Sequence, residues 1–142
     1  MARVLVVDDT DIVRKALELA LRKMGHDARS TSDATSALEL ARIHRPELAL
    51  LDYRMPGMDG ATLFGEMQRE LGERCPKVLF VSATPPDEVR SHAEQGGERP
   101  VGYVKKPFHL DDLSRLVSEA LQPARASHEP ALPPTSARKG NV

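Results

Sequence analysis

Four short apolar runs alternate with helix-like segments along this chain, and this alternation limits the folds that it can adopt. The runs are rich in Val and Leu and lack polar residues at alternate positions, which is typical of parallel strands covered on both faces. They occupy residues 4–7, 48–51, 78–81 and 101–104. A fifth strand, poorer in apolar residues, is predicted at Asp27–Thr31 and is placed at an edge of the sheet.

Between the runs, apolar residues recur at helical spacing and predict five helices. The first three are predicted to end at Gly25, before Pro46 and at Gly72, because glycine suits the position after a helix and proline disfavours helical backbone in the residue before it. The fourth is predicted to begin with Thr84 as its capping residue, followed by prolines, and to run towards Gln95. The fifth follows the last strand.

Five successive strand–helix units predict an α/β fold with a doubly wound parallel sheet. We expect the five-stranded, flavodoxin-like (βα)5 arrangement with strand order 2-1-3-4-5. Residues 1–122 are expected to form one domain, since their length suits a single core. Residues 123–142 are rich in Pro, Ala and Ser, and we expect a disordered tail or linker there.

The composition argues against several classes of protein. Lys and Arg number 20 against 21 for Asp and Glu, which gives no reason to expect direct binding of nucleic acid or of an anionic membrane. The apolar run at residues 4–7 is too short for a signal peptide or a membrane span. The single cysteine, Cys75, fits a reducing compartment. We therefore expect a cytoplasmic protein.

Charged and hydroxyl side chains follow four of the predicted strands at the point where each strand ends. Asp8 and Asp9 follow the first strand, Asp52 ends the third, Ser82 ends the fourth and Lys106 follows the fifth. Ligands of such sheets bind beyond the carboxyl ends of the strands. We therefore expect these five side chains to share one site.

The expected site has the residue types that phosphoryl transfer needs. Neighbouring carboxylates repel one another, and a hard cation such as Mg²⁺ relieves that repulsion. Hydroxyl and ammonium groups donate to phosphate oxygens, and a carboxylate can be the nucleophile that forms an aspartyl phosphate. Taken singly, Asp8 and Asp9 can be explained as acids near a helix start, and Lys106 as a solvated surface charge.

The sequence resembles the response-regulator receiver family of two-component signalling, typified by the chemotaxis regulator CheY. The resemblance covers residues 3 to about 121 and is carried by four motifs together. They are VLVVDD at 4–9, LLDYRMPGMDG at 50–60, VLFVSA at 78–83 and YVKKPF at 103–108.

The resemblance implies roles for the acidic residues. Asp52 would be the phosphoacceptor, taking a phosphoryl group from the phosphohistidine of a sensor histidine kinase or a histidine phosphotransfer protein. Asp9, Asp52 and the backbone carbonyl of Arg54 would bind Mg²⁺ directly, and Asp8 would help through water. Arg54 and Thr84, each two residues beyond a site residue, would tune loss of the phosphoryl group by hydrolysis; a solvated Arg54 is the alternative.

The resemblance also implies a switch. Ser82 would bond a phosphate oxygen, Lys106 would pair with the phosphoryl group, and the Lys106–Pro107 peptide bond would be cis. Tyr103 would be the switch aromatic that turns inward as Ser82 moves; an ordinary half-buried tyrosine is the alternative. A downstream protein would bind the face formed by helix 4, strand 5 and helix 5, and phosphorylation-dependent homodimerisation is a further expectation.

The fourth helix departs from the common pattern of the family. Its main apolar anchors are Val89 and Ala93, and the loop 96–102 after it, GGERPVG, is longer than usual. Few buried contacts imply low local stability, so we expect this helix to be mobile.

Other functions fit parts of the pattern. The residues 9–13, DTDIV, match the DxDx(T/V) pattern of haloacid-dehalogenase-type phosphatases, with Asp9 as nucleophile, and Asp111–Asp112 could serve as the later acidic pair. Those two acids follow KPF at a helix start rather than a strand end, so we expect a signalling protein and not an enzyme.

A pseudo-receiver usually lacks one acidic or Lys position, whereas all are present here. Because nothing after Leu121 resembles an output domain, we expect a stand-alone receiver; a receiver cut from a longer chain is the alternative.

Overall fold

Residues 1–122 are described by a computed structural model, and they form a five-stranded parallel sheet. The strands are β1 (Arg3–Val7), β2 (Asp27–Thr31), β3 (Leu48–Leu51), β4 (Lys77–Ser82) and β5 (Gly102–Lys105). Their order is β2-β1-β3-β4-β5, and every neighbouring pair is parallel. The predicted fold class and strand order are confirmed. The tail predicted at 123–142 lies outside the described residues.

Five α-helices connect and follow the strands. They are α1 (Asp11–Lys23), α2 (Ala34–His44), α3 (Gly60–Leu71), α4 (Pro86–Ala93) and α5 (Leu110–Ala120). A single 3₁₀ turn, Gly72–Arg74, follows α3. The predicted ends of the first three helices are confirmed, with Gly25 at φ 94° after α1 and Gly72 at φ 57° after α3. Among the described residues, no helix is both long enough and apolar enough to cross a membrane.

The start of α4 differs from the prediction. Pro85 occupies the capping position and no side chain caps the helix, so the prediction that Thr84 is the cap was wrong. The hydroxyl of Thr84 instead accepts a hydrogen bond from Nε of Arg54 at 3.1 Å. The helix ends at Ala93, short of Gln95.

The fifth strand begins one residue later than predicted. Val101 contributes a single backbone bond, from its N–H to the carbonyl of Val78 at 2.7 Å, and the regular ladder starts at Gly102. The expected edge position of β2 is confirmed, since it pairs only with β1.

The helices cover both faces of the sheet. Val7 and Leu51 face a core that includes side chains of α2, α3 and α4, whereas Val6 and Leu50 face a core shared with α1 and α5. All four residues are buried. Burial on both faces explains why the central runs lack polar alternation.

Candidate functional site

The carboxyl ends of the strands bring the predicted site residues together. The N–H of Asp52 donates to the carbonyl of Val7 at 2.9 Å, and the N–H of Lys106 donates to the carbonyl of Ser82 at 2.8 Å. These bonds continue the parallel ladder one residue past the strands. They fix the backbone of each site residue against the neighbouring strand.

Three carboxylates form one acidic group at this edge. Asp8, Asp9 and Asp52 each offer one oxygen, and these atoms all lie within 4.8 Å of one another. Asp8 and Asp52 are 1% and 7% exposed, whereas Asp9 is exposed. Carboxylate oxygens are the donors that Mg²⁺ prefers, and it usually keeps several waters, for which the exposed side of Asp9 leaves room. The donor set therefore fits Mg²⁺.

Lys106 neutralises part of the acidic group. Its Nζ lies 2.7 Å from Oδ2 of Asp8 and 3.6 Å from Oδ2 of Asp52. The other oxygen of Asp8, Oδ1, accepts the backbone N–H of Thr10 at 2.9 Å. Because both oxygens of Asp8 are already engaged, Asp9 and Asp52 are freer to bind a cation directly. The Lys106–Pro107 peptide bond is cis.

The surroundings of Asp52 oppose its negative charge. Burial, followed by the charge of Asp8, raises the pKa of Asp52 above its ordinary value; the Asp9 carboxylate adds a smaller effect in the same direction. The Lys106 ammonium and the Ser82 hydroxyl act in the opposite direction without cancelling the shift. A bound cation would relieve this repulsion and favour the carboxylate form, which is the nucleophilic one.

Ser82 and Thr84 lie together beside Asp52. Ser82 is buried at the end of β4, and its Oγ accepts the N–H of Thr84 at 3.2 Å. Thr84 is also buried and accepts from Nε of Arg54. The guanidinium of Arg54 also reaches Glu88 on α4, with Nη2 3.2 Å from Oε2. The side chain of Arg54 is thus largely exposed to solvent while it contacts both Thr84 and Glu88.

Tyr103 is held on the α4 side of the sheet. Its ring stacks on Phe80 at 6.0 Å between centroids with an interplanar angle of 7°. The guanidinium of Arg90 lies 4.9 Å from the centre of the Tyr103 ring, and the hydroxyl donates to Glu94 at 2.7 Å. Three residues, Phe80, Arg90 and Glu94, therefore hold the ring in its present position, and the switching role of Tyr103 stays a prediction.

Sequence reasoning missed two features that support the site. A Cβ at Gly60 would lie 2.1 Å from the carbonyl oxygen of Asp52, so only glycine fits there. The sequence feature that could have indicated this requirement is the glycine at the end of the LLDYRMPGMDG motif. The hydroxyl of Tyr53 lies 2.9 Å from Nδ1 of His92 on α4. Nothing in the sequence links these two residues, which are 39 positions apart.

The sequence matches the family described as response regulator receiver domain over residues 4–118. The chain belongs to the response-regulator receiver family. Phosphorylation of an aspartate and binding of Mg²⁺ are general features of this family, and its members receive phosphoryl groups from histidine kinases. Receiver domains are signalling rather than catalytic proteins.

Individual relatives agree with this assignment. The regulatory protein AtoC of Escherichia coli K12 is 37% identical over 120 residues, which are 84% of this chain but only 25% of AtoC. The receiver domain of the response regulator NarL from Mycobacterium tuberculosis has 34% identity and a TM-score of 0.71, covering 83% of this chain and 94% of that one. CheY4 of Vibrio cholerae shares the receiver fold at 24% identity, with a TM-score of 0.78 and coverage of 85% and 99%.

The chain therefore corresponds to a small part of longer curated relatives such as AtoC. Its receiver identity rests on the part that matches, residues 4–118. The stand-alone role expected from the sequence stays a prediction.

Proposed function

We propose that this receiver accepts a phosphoryl group on Asp52 from a phosphohistidine and thereby changes the face that binds a downstream protein. The observation that carries the proposal is the convergence of three carboxylate oxygens within 4.8 Å, with the Lys106 ammonium beside them. Three carboxylates this close, two of them buried, repel one another, and a bound cation relieves that repulsion and attracts a phosphate.

In the transfer step, a carboxylate oxygen of Asp52 attacks the phosphorus of the phosphohistidine. The new O–P bond forms as the P–N bond breaks, and the imidazole leaves with the electron pair of that bond. Asp9, Asp52 and the backbone carbonyl of Arg54 would hold Mg²⁺, with Asp8 acting through water. When bound, that ion supplies positive charge against the transferring phosphate oxygens.

Two donors of the chain would hold the phosphoryl group after transfer. The Lys106 ammonium already lies at the edge of the site, and the Ser82 hydroxyl is next to Asp52. Hydrogen bonds to charged groups contribute about 1.5–3 kcal/mol each, whereas moving a two-state equilibrium from 1:99 to 99:1 needs about 5.5 kcal/mol. The free energy of two such bonds comes close to the amount that a complete switch needs. Tyr103 is the side chain on β5 whose position would change with the switch.

The direct test is phosphorylation by a small donor. The protein would be incubated with acetyl phosphate or phosphoramidate and Mg²⁺, and its mass measured before and after. We expect wild type to gain one phosphoryl group and Asp52→Asn to gain none. Asp111→Asn, which changes an exposed acid at the start of α5, is the matched control and should behave as wild type.

The same experiment separates this proposal from phosphatase chemistry. Among the residues that the structure describes, the acids grouped with Asp9 are Asp8 and Asp52, whereas Asp11 pairs with Arg14 and Asp112 lies 3.6 Å from Arg115. A stable adduct that survives Asp52→Asn but is lost in Asp9→Asn would refute the assignment of Asp52.

Arg54 and Thr84 are proposed to tune the lifetime of the aspartyl phosphate. Each follows a site residue by two positions, and Nε of Arg54 donates to the hydroxyl of Thr84 at 3.1 Å. Arg54→Ala should change the rate of dephosphorylation, measured by loss of the adduct after the donor is removed. An unchanged rate would eliminate this role.

The proposed output surface is the face formed by α4, β5 and α5. Tyr103 lies on β5 in contact with Arg90 and Glu94 of the α4 region, so a change at Tyr103 would alter this surface directly. The partner is proposed to be a protein; a second phosphorylated copy of the chain is one such partner. Analytical ultracentrifugation with and without the phosphoryl donor would detect the homodimer.

A further inference from the structure

The two residues that directly follow Asp52 both bind α4. Nη2 of Arg54 lies 3.2 Å from Oε2 of Glu88, and the hydroxyl of Tyr53 lies 2.9 Å from Nδ1 of His92. Glu88 and His92 are four residues apart and therefore occupy successive turns of the same helix face. The phosphoacceptor loop is thus attached to α4 at two points one turn apart.

The two attachments differ in chemistry. The Arg54–Glu88 contact is an ion pair whose side chains are 72% and 51% exposed. The Tyr53–His92 contact is partly buried and is reinforced by the two rings, which meet edge to face at 5.8 Å. A new charge nearby affects an exposed ion pair far more than a contact maintained by ring packing.

Thr84 connects the ion pair to the site through two separate hydrogen bonds, one made by its backbone N–H and one by its hydroxyl. Ser82 accepts the N–H of Thr84 at 3.2 Å, and Thr84 accepts from Nε of Arg54 at 3.1 Å. Ser82 and Thr84 are both buried, so this path is shielded from water until it reaches the guanidinium. Arg54 is therefore fixed between the phosphoacceptor region on one side and Glu88 on the other.

We propose that Glu88 and a phosphoryl group on Asp52 compete for the guanidinium of Arg54, so that phosphorylation frees the first turn of α4 while Tyr53 and His92 retain the second. This rests on the proposed function of Asp52. A phosphoryl group carries about −1.5 to −2 charges against −1 for a carboxylate, and Mg²⁺ and Lys106 offset part of that charge. A guanidinium can bind phosphate through two parallel hydrogen bonds, whereas the contact with Glu88 is made by Nη2 of Arg54. The phosphoryl oxygens therefore compete with Glu88 for Arg54.

Hydrogen exchange of the α4 amides, measured by NMR on residues 1–142, tests the proposal. The phosphoryl analogue is beryllofluoride with Mg²⁺. For wild type we expect the analogue to accelerate exchange in the first turn of α4 about threefold, the scale that the loss of one exposed ion pair allows. In Glu88→Gln, the amides in the first turn of α4 should exchange about threefold faster than in wild type without the analogue. Adding the analogue should increase their exchange rate little further.

Asp87→Asn is the matched control, because it removes the same charge from the same helix turn. Asp87 pairs with Arg90 rather than with Arg54. It should leave the response to the analogue as in wild type. Tyr53→Phe should accelerate α4 exchange in both states and preserve the difference between them, since it removes the hydrogen bond of the other attachment but keeps the ring contact.

Competition has a reciprocal consequence that provides a second measurement. If the analogue weakens the Arg54–Glu88 pair, removing Glu88 must strengthen binding of the analogue by the same factor. We expect Glu88→Gln to bind beryllofluoride about threefold more tightly in a ¹⁹F NMR titration, and Asp87→Asn to bind it as wild type does. If Glu88→Gln and Asp87→Asn behave alike in both measurements, the competition is refuted while the function of Asp52 stands. If wild type fails to bind the analogue at all, both are refuted.

Discussion

The ammonium of Lys106 lies 2.7 Å from Oδ2 of Asp8, joining residues 98 positions apart in the sequence. Asp8 is 1% exposed, so its charge is almost completely removed from water. This ion pair gives Lys106 a structural role in addition to its proposed contact with the phosphoryl group.

Lys106→Met should therefore lower stability as well as phosphorylation. Removing one partner of a buried ion pair leaves an uncompensated charge and costs about 3–5 kcal/mol. We expect a loss of this size in urea unfolding, measured without Mg²⁺. Lys105→Met, at the exposed neighbouring position, is the control and should change stability by less than about 0.5 kcal/mol. Equal losses in the two variants would contradict the structural role.

The charge of Asp52 should destabilise the fold near neutral pH. Burial and the Asp8 carboxylate raise the pKa of Asp52, so the folded protein binds a proton more readily than the unfolded chain does. Stability from this group is present below its ordinary pKa and is lost as pH rises through the raised value. Asp52→Asn should thus be more stable than wild type at pH 7, by on the order of 1 kcal/mol, with the difference shrinking towards acidic pH.

Thermal unfolding of both proteins across this pH range, without Mg²⁺, measures that difference. Asp111→Asn provides the comparison for an exposed acid that lies outside the acidic group. A gap between wild type and Asp52→Asn that stays constant with pH would show that the pKa of Asp52 is not raised.

Mg²⁺ should stabilise the protein through the acidic group. A ligand that binds only the folded state adds about 2.7 kcal/mol at a concentration 100 times its Kd. We expect Mg²⁺ to raise the Tm of wild type, and Asp9→Asn to require much higher Mg²⁺ for the same rise. Asp11→Asn is the control, since Asp11 is exposed and pairs with Arg14 instead. Equal Mg²⁺ responses in Asp9→Asn and wild type would exclude Asp9 as a ligand.

The site was largely predictable because its residues follow strand ends. Asp8, Asp52 and Lys106 stand next to apolar runs that could be recognised locally, and parallel topology then requires their proximity. The path from the site to α4 was not predictable in the same way. Tyr53 and His92 meet only because α4 packs beside the β3–α3 loop, and no local pattern specifies that contact.

The α4 boundary shows the same limit. Thr84 before two prolines is a strong local signal for a helix cap, yet its hydroxyl binds Arg54 from another loop. The tertiary hydrogen bond from Arg54 thus outweighed the local preference of Thr84 to cap the helix. The two apolar anchors predicted for this helix, Val89 and Ala93, are buried as expected, while its mobility stays a prediction for hydrogen exchange.

Gly60 should be essential for the geometry of Asp52. An alanine Cβ there would meet the Asp52 carbonyl oxygen at 2.1 Å and the Phe80 ring at 3.0 Å, and neither the strand end nor the packed ring can move freely. We expect Gly60→Ala to lose about 2–4 kcal/mol in urea unfolding and to be phosphorylated more slowly, because the loop that carries Asp52 must shift. Gly65→Ala is the matched control in the same helix: apart from the backbone of its own helix and its chain neighbours, no heavy atom lies within 4 Å of its added Cβ. Alanine also favours helix over glycine by up to about 1 kcal/mol. The two variants should therefore change stability in opposite directions, and a stable, normally phosphorylated Gly60→Ala would show that the β3–α3 loop tolerates displacement.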